Sequence, residues 1–262
     1  MACTSPPPPA YTYLHLAHTR TDTNPYIDSA AARLDYAPYH MLWLGGDLAL
    51  RSSADEAALV HLDSLFDLAA STTLLSPGNH DYDHPERLRA ATGRPLYYTQ
   101  WQRGIVISTL DTQDSVSQLV GDQLAMLRNV ADTLQAASHW VLLHHQLVWM
   151  RDGGTLEADS DYVANGWFGD CAHCLRPNNF YRDVYPLLRT VQQRGIQVVC
   201  VAGDLGKWRN EFEHVTDDGI VFLASGIEAG DTSSQALVFE HYPSADSLGW
   251  QYRKLRALPA RK

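Results

Sequence analysis

The sequence predicts an α/β domain, and three observations carry that prediction. Short apolar runs of strand length alternate along the chain with segments whose apolar residues recur at helical spacing. Several of the apolar runs stop abruptly at polar, Gly-rich or His-rich turns. The composition, 45% hydrophobic and 19% charged over 262 residues, is that of a chain able to bury a sizeable core.

In chain order, residues 11–17 read as a first strand ending at His18-Thr19-Arg20, and 41–44 as a second, stopping at Gly45-Gly46-Asp47. Residues 54–69 carry Leu59, Leu62, Leu65 and Phe66 at helical spacing. A short run at 72–75 stops at Pro77-Gly78-Asn79-His80-Asp81, and 105–110 is a further strand. Residues 122–136 form a helix with Leu124, Leu127, Val130 and Leu134 on one face. The run 140–143 ends at His144-His145. A helix over 180–193 stops at Gly195, and the strand 196–202 ends at Gly203-Asp204. Strand-like runs at 220–224, 236–241 and 249–255 follow.

No composition break divides the body, so 11–262 reads as one domain behind a Pro-rich linker at 1–10. Ala2-Cys3 ahead of Pro6 to Pro9 has the look of a bacterial lipoprotein cleavage point, which predicts a lipid anchor on Cys3 and a cell-envelope location; a plain disordered terminus, and a cytoplasmic protein, is the other reading. The net charge of −10 argues against a broad nucleic-acid-binding face, which needs clustered cations. No apolar run approaches the roughly 20 residues that span a bilayer. Cys171 and Cys174 form a CxxC pair open to three readings: a local disulfide, two free thiols, or a metal or redox centre. Cys200, inside an apolar strand, reads as a small buried hydrophobe.

In an α/β sheet the carboxyl ends of the parallel strands face a common crevice where ligands bind. That places His18 and Arg20, Asp47, Asn79-His80-Asp81, His144-His145 and Asp204 around one site. Imidazoles, carboxylates and an amide gathered in this way are the donor set of a divalent-metal centre.

Gly46-Asp47, Gly78-Asn79-His80-Asp81, His144-His145 and Gly203-Asp204, in this order and with Leu110-Asp111-Thr112 and Gly121-Asp122-Gln123-Leu124 between them, resemble the motifs of the calcineurin-like metallophosphoesterase superfamily. The resemblance runs from Tyr13 to about Gly230, and it implies a four-layer α/β/β/α sandwich with a metal centre at the strand ends. It implies that Asp47, Asn79, His144 and Asp204 hold a metal, with His145 behind, since the first histidine of such a pair is usually the ligand. His80 becomes the proton donor to the leaving alkoxide, oriented by Asp81; a turn histidine capping the next helix is the plainer reading of His80.

The chain departs from the family at three places. Asp-x-His is here His18-x-Arg20, Leu50 stands at the last position of the Gly-Asp-x-x-Asp motif, and Gly-His-x-His is Gly203-Asp204-Leu205-Gly206. Three of the four ligands of one metal are thereby lost, so the sequence predicts one divalent ion, Mn²⁺ or Fe²⁺ before Mg²⁺ or Zn²⁺, with the Arg20 guanidinium gripping phosphate where the second ion sits in relatives. His18 is expected to bond substrate or a water, or else to pack behind the site. Residues 150–179 lack helical or strand period and read as a lid-like insertion. Trp149 beside it, with Tyr162, Asn165 and Trp167 within it, is a candidate to stack on substrate, and Lys207 and Trp208 are further candidate contacts.

The expected activity is hydrolysis of a small phosphate mono- or diester. A degenerate member that binds metal or a phosphorylated ligand without turnover, and a cell-envelope accessory lipoprotein, are the alternatives.

Overall fold

The computed structural model describes residues 11–115, 117–150, 156, 177–206 and 209–261. In chain order the elements are β1 (Tyr11–Leu16), α1 (Ser29–Ala32), β2 (Met41–Leu44), α2 (Glu56–Phe66), β3 (Thr73–Leu75), α3 (Pro85–Thr92), β4 (Tyr98–Gln102), β5 (Ile105–Thr109), α4 (Gly121–Thr133) and β6 (His139–His144). A π-helical turn (Phe180–Val184) then leads into α5 (Tyr185–Gln192), followed by β7 (Gln197–Ala202), β8 (Glu211–Val215), β9 (Val221–Ser225), β10 (Gln235–Tyr242) and β11 (Ser247–Lys254). They make two sheets, β11-β10-β1-β2-β3 and β4-β5-β6-β7-β9-β8. Strands β1-β2-β3, with β3 at the edge, and β5-β6-β7-β9 run parallel, while β10 and β11 of the first sheet and β4 and β8 of the second pair antiparallel.

The sheets pack face to face through Tyr13, Trp43, Ile107, Val141, Val201 and Phe239. Leu62, Phe66 and Leu88 of α2 and α3 cover the outer face of the first sheet with Leu16 and Leu44 beneath them. Leu127, Val130, Leu188 and Val191 of α4 and α5 cover the second, over Trp140, Leu142 and Cys200. This is the expected four-layer α/β/β/α sandwich. Both faces of each sheet are buried, which is why the central strands read as unbroken apolar runs. The Cys200 thiol is free and fully buried, and burial raises its pKa.

Two expected helices stop early, each for a visible reason. The 54–69 segment ends at Phe66 because Asp67 turns left-handed (φ 50°), while the Arg94 guanidinium donates to the carbonyls of Leu68 (2.7 Å), Ala70 (2.9 Å) and Thr73 (2.7 Å). The 122–136 segment ends at Thr133 because Leu134 is extended, and Arg194 caps the carbonyls of Ala131 and Leu134. Four elements carried no clear sequence signal. Strands β4 and β8 are edge strands with at most one buried residue each, α1 is a single turn, and α3 buries only Leu88 and Thr92.

Residues 1–10, the Cys171–Cys174 pair, Tyr162, Asn165, Trp167, Lys207 and Trp208 lie outside the described residues. At the far end of the expected insertion, the Asn179 amide donates to the Leu119 carbonyl and accepts from the Leu119 N–H, both at 2.8 Å.

Candidate metal centre

The parallel strands point their carboxyl ends the same way, and the turns that leave β1, β2, β3, β6 and β7 meet. Glycines make the meeting possible. A Cβ on Gly78 would stand 2.1 Å from Asp47 Oδ1, one on Gly203 2.1 Å from the Gly45 carbonyl oxygen, and one on Gly46 2.4 Å from the Gly78 nitrogen. Gly46 also needs its positive φ of 88°. Backbone hydrogen bonds tie the β1 turn to the β2 turn: His18 N–H donates to Gly46 O (2.8 Å) and Arg20 N–H to Asp47 O (3.2 Å).

Asp47 is the hub. It is a left-handed residue (φ 55°), almost wholly buried, and its Oδ1 accepts the His80 N–H at 2.9 Å. His145 Nε2 stands 3.6 Å from the same oxygen. His18 Nε2 (4.0 Å) and Arg20 Nε (3.8 Å) face Oδ2. Burial pushes the Asp47 carboxyl pKa up, but His145, His80 and His18 outweigh it, so the group is held below its ordinary value and stays ionised.

His145, not His144, enters the site. Its Nε2 lies 3.3 Å from Asn79 Oδ1 and 3.9 Å from Asp204 Oδ1, besides Asp47. Its Nδ1 donates to the Gly45 carbonyl (2.7 Å), which aims Nε2 at the oxygens. His144 corrects the expectation drawn from the resemblance. Side chains alternate along β6, so His144 shares the face of Trp140 and Leu142 beneath the helices. Its Nδ1 bonds the Gln146 carbonyl (2.7 Å), its ring meets Trp149 edge-on at 5.0 Å, and burial drops its pKa to about 4. Burial opposes a charge on His145 as well, but Asp47 and Asp204 prevail and raise its pKa.

Asp47, Asn79, His145 and Asp204 together offer donor types that suit a divalent cation. One imidazole nitrogen, two carboxylates and an amide oxygen, drawn from four turns, suit Mn²⁺, Fe²⁺ or Mg²⁺. Among the described residues, no three His, Cys, Asp or Glu side chains close as tightly as ligands on an ion do. His145 Nε2 is the atom common to the set, 3.3 Å from Asn79 Oδ1, 3.6 Å from Asp47 Oδ1 and 3.9 Å from Asp204 Oδ1.

On the other side of Asp47 stand His18 and Arg20. His18 Nδ1 bonds the Ile227 carbonyl at 2.9 Å, and burial, helped by Arg20, lowers its pKa to about 4, so it is neutral. Arg20 Nε is buried and, among the described residues, makes no hydrogen bond, only the 3.8 Å ion pair with Asp47. Gly206 brings no side chain; a Cβ there would press on the Ile227 carbonyl (2.8 Å) and His18 Nδ1 (3.2 Å).

Two further expectations are corrected. Asp81 does not orient His80. Its buried carboxylate accepts from the N–H groups of Asp47 (2.6 Å), Gly78 (2.9 Å) and Leu48 (3.1 Å) and from Ser52 Oγ (2.5 Å), while His80 Nδ1 bonds the Leu50 carbonyl at 3.0 Å. Trp149 is core, not a substrate contact. It is fully buried and stacks on Phe222 with ring centroids 4.8 Å apart. Lys207 lies outside the described residues.

Several supporting groups escaped the sequence reading. Ser52 and the carbonyls of Gly45, Leu50 and Ile227 hold site residues, and a backbone carbonyl leaves no residue-type signal. Asp111, whose carboxyl burial pushes up to about 6, accepts the Tyr82 hydroxyl at 2.8 Å. Gln123 clamps the Asp111 backbone through both its N–H (2.7 Å) and its carbonyl (3.0 Å). That clamp is what the Gly121-Asp122-Gln123-Leu124 run provides.

No family model matches the chain, and neither does any curated protein. Among solved structures, it is similar to a dimetal phosphatase from Danio rerio, with 14% identity over 94% of this chain and 97% of that one at a TM-score of 0.61. The NAD nucleotidase of Haemophilus influenzae (15% identity, 93% of this chain and 55% of that one, TM-score 0.48) and a 5′-nucleotidase precursor from Thermus thermophilus (14%, 95% and 56%, TM-score 0.46) overlap less closely. The first likeness, nearly end to end, shows that the chain shares the two-sheet α/β sandwich fold of that phosphatase.

Proposed function

We propose that this chain is a metal-dependent hydrolase of small phosphate mono- or diesters that works with a single divalent ion. The observation that supports this best is the convergence of Asp47, Asn79, His145 and Asp204 from four turns, with Arg20 Nε buried beside them, 3.8 Å from Asp47 and without a hydrogen bond among the described residues. Mn²⁺ or Fe²⁺ bound by those four residues would furnish a hydroxide near neutral pH and shield phosphate charge.

The chain's own residues do the rest. Arg20 binds a phosphate oxygen, since a buried guanidinium N–H without an acceptor is costly until an anion supplies one. His18, neutral and anchored on the Ile227 carbonyl, presents Nε2 as an acceptor for a water or a substrate hydroxyl. His80 donates a proton to the leaving alkoxide, its ring held by the Leu50 carbonyl and its backbone N–H by Asp47.

The test is reconstitution with Mn²⁺. One equivalent should bind, and hydrolysis of an aryl phosphate or a bis-aryl phosphate should appear with it and vanish in Asp47→Ala. For an alkyl phosphate, whose leaving group needs the proton, His80→Ala should lower kcat by about 10²–10⁴-fold. Activity persisting in both variants removes the mechanism, and two bound equivalents show that Arg20 does not replace an ion. The absence of a side chain at Gly206 favours a second reading, a binder without turnover. One equivalent of bound Mn²⁺ with no hydrolysis of any ester would select it.

A further inference from the structure

We infer that Asp81 is the positioning residue of the metal-binding turns, and that the carbonyl of Leu50 takes the part of orienting His80. The inference rests on the proposed metal centre for its consequence, but on hydrogen bonds alone for its geometry.

A carboxylate has about four lone-pair positions to offer. The Asp81 carboxylate, fully buried, fills all four: Asp47 N–H and Gly78 N–H reach Oδ2, and Leu48 N–H and Ser52 Oγ reach Oδ1. Nothing is left for an imidazole. His80 correspondingly bonds elsewhere, through Nδ1 to the Leu50 carbonyl.

The four donors matter because of where they lie. Asp47 is a non-glycine residue in the left-handed region, a conformation that persists only when its surroundings over-determine it. Its own N–H and that of Leu48, one on each side of its Cα, both end on Asp81. The same Oδ2 also receives Gly78 N–H, immediately before Asn79. One carboxylate thus sets the backbone of the β2 turn and the spacing between it and the β3 turn. The Asp47 carboxylate returns the bond by accepting His80 N–H. Asp81 therefore aims two proposed metal ligands without being one.

The experiment uses the full chain and the isosteric variant Asp81→Asn, whose amide places an N–H donor where a backbone donor now points. By NMR on the metal-free protein, amide exchange at Asp47, Leu48 and Gly78 should quicken at least about tenfold, with Ile107 and Val141 of the second sheet unchanged. Mn²⁺ affinity measured by calorimetry should weaken about 10–100-fold. The His80 ring N–H resonance should stay in place, because His80 keeps its carbonyl partner. Unchanged exchange at the three amides, or retained Mn²⁺ affinity with a displaced His80 ring resonance, overturns the inference in favour of Asp81 acting on His80. Should Asp81→Asn fail to fold, Ser52→Ala removes one donor and keeps the carboxylate. It should weaken Mn²⁺ binding about three- to tenfold, and identical affinity and exchange in that variant overturn the inference. A wild-type chain that binds no Mn²⁺ refutes the proposed function instead, while the metal-free exchange measurement still judges the geometric role of Asp81.

Discussion

The turns that leave the first sheet are stitched to one another by backbone bonds and the buried Asp81 carboxylate, whereas those that leave the second are joined at the His145 carbonyl. On the first side, His18 and Arg20 N–H groups bond the β2 turn, Thr19 Oγ1 donates to the Leu48 carbonyl at 2.8 Å, and Asp81 gathers the β2 and β3 turns. On the second side, the His145 carbonyl accepts from Gly203 (3.0 Å) and Asp204 (2.8 Å), and the His145 ring crosses to Gly45. The difference teaches that each half of the site is tied internally by its own means, a buried carboxylate on one side and a backbone carbonyl on the other. His145 is the side chain that joins them, touching Gly45, Asn79, Asp47 and Asp204.

The sharpest way to break this comparison is to swap attention between two adjacent histidines. His145→Ala should weaken Mn²⁺ binding by more than about 100-fold, since it removes both a ligand and the bridge between halves. His144→Ala should leave Mn²⁺ affinity nearly intact and cost about 2–5 kcal/mol of stability by opening a cavity beside Trp149. Calorimetric titration and chemical denaturation of both variants decide it, and the reverse pattern would return His144 to the ligand set.

A smaller effect probes the seam between the β2 and β3 turns. Gly78→Ala drives a methyl group into the space held by Asp47 Oδ1 and the Asp47 nitrogen. A loss of about 1–3 kcal/mol is expected, with lower metal affinity, because the carboxylate must swing aside. Gly93→Ala, at a helix end where a Cβ meets nothing within 4 Å, should weaken stability only through its positive φ and leave metal binding alone. Equal metal affinities in the two variants would show that the crevice tolerates crowding there.

The gentlest test is acid. Burial holds His15 at about 3 and His18, His139 and His144 at about 4, all below the ordinary 6.5. Between pH 6.5 and 4 the unfolded chain binds protons at these positions that the folded chain refuses, so stability falls as pH falls through that window. Each histidine contributes at most about 1.4 kcal/mol per pH unit. Asp111, raised to about 6, acts in the opposite sense and blunts the slope, whereas His145, raised above 6.5, adds stability that is lost only as pH rises above that value. Melting temperatures should decline from pH 6.5 to 4; a flat profile would mean these imidazoles are hydrated in the folded state.

The central strands were legible in the sequence because burial on both faces makes them continuously apolar. The same burial hid the facing of each residue. With Val141 and Leu143 on one side of β6 and Trp140 and Leu142 on the other, both faces are apolar, so parity at His144 and His145 could not be read from residue type. Edge strand β4, with Trp101 exposed and none of its residues buried, offered no alternation to read. The ligand-bearing turns were legible as Gly-Asp and Gly-Asn-His-Asp, whereas the role of Asp81 was not, because its partners include three backbone N–H groups. Trp149 looked like a platform for substrate beside the insertion and is instead the ring on which Phe222 stacks.

Cys200 has a practical consequence. A neutral thiol sealed in the middle of β7 cannot meet an alkylating reagent until that central strand parts from its neighbours. Its rate of modification, followed on its own peptide by mass spectrometry, is therefore a stopwatch built into the native chain, one that times rupture of the second sheet and ignores fraying at the rim.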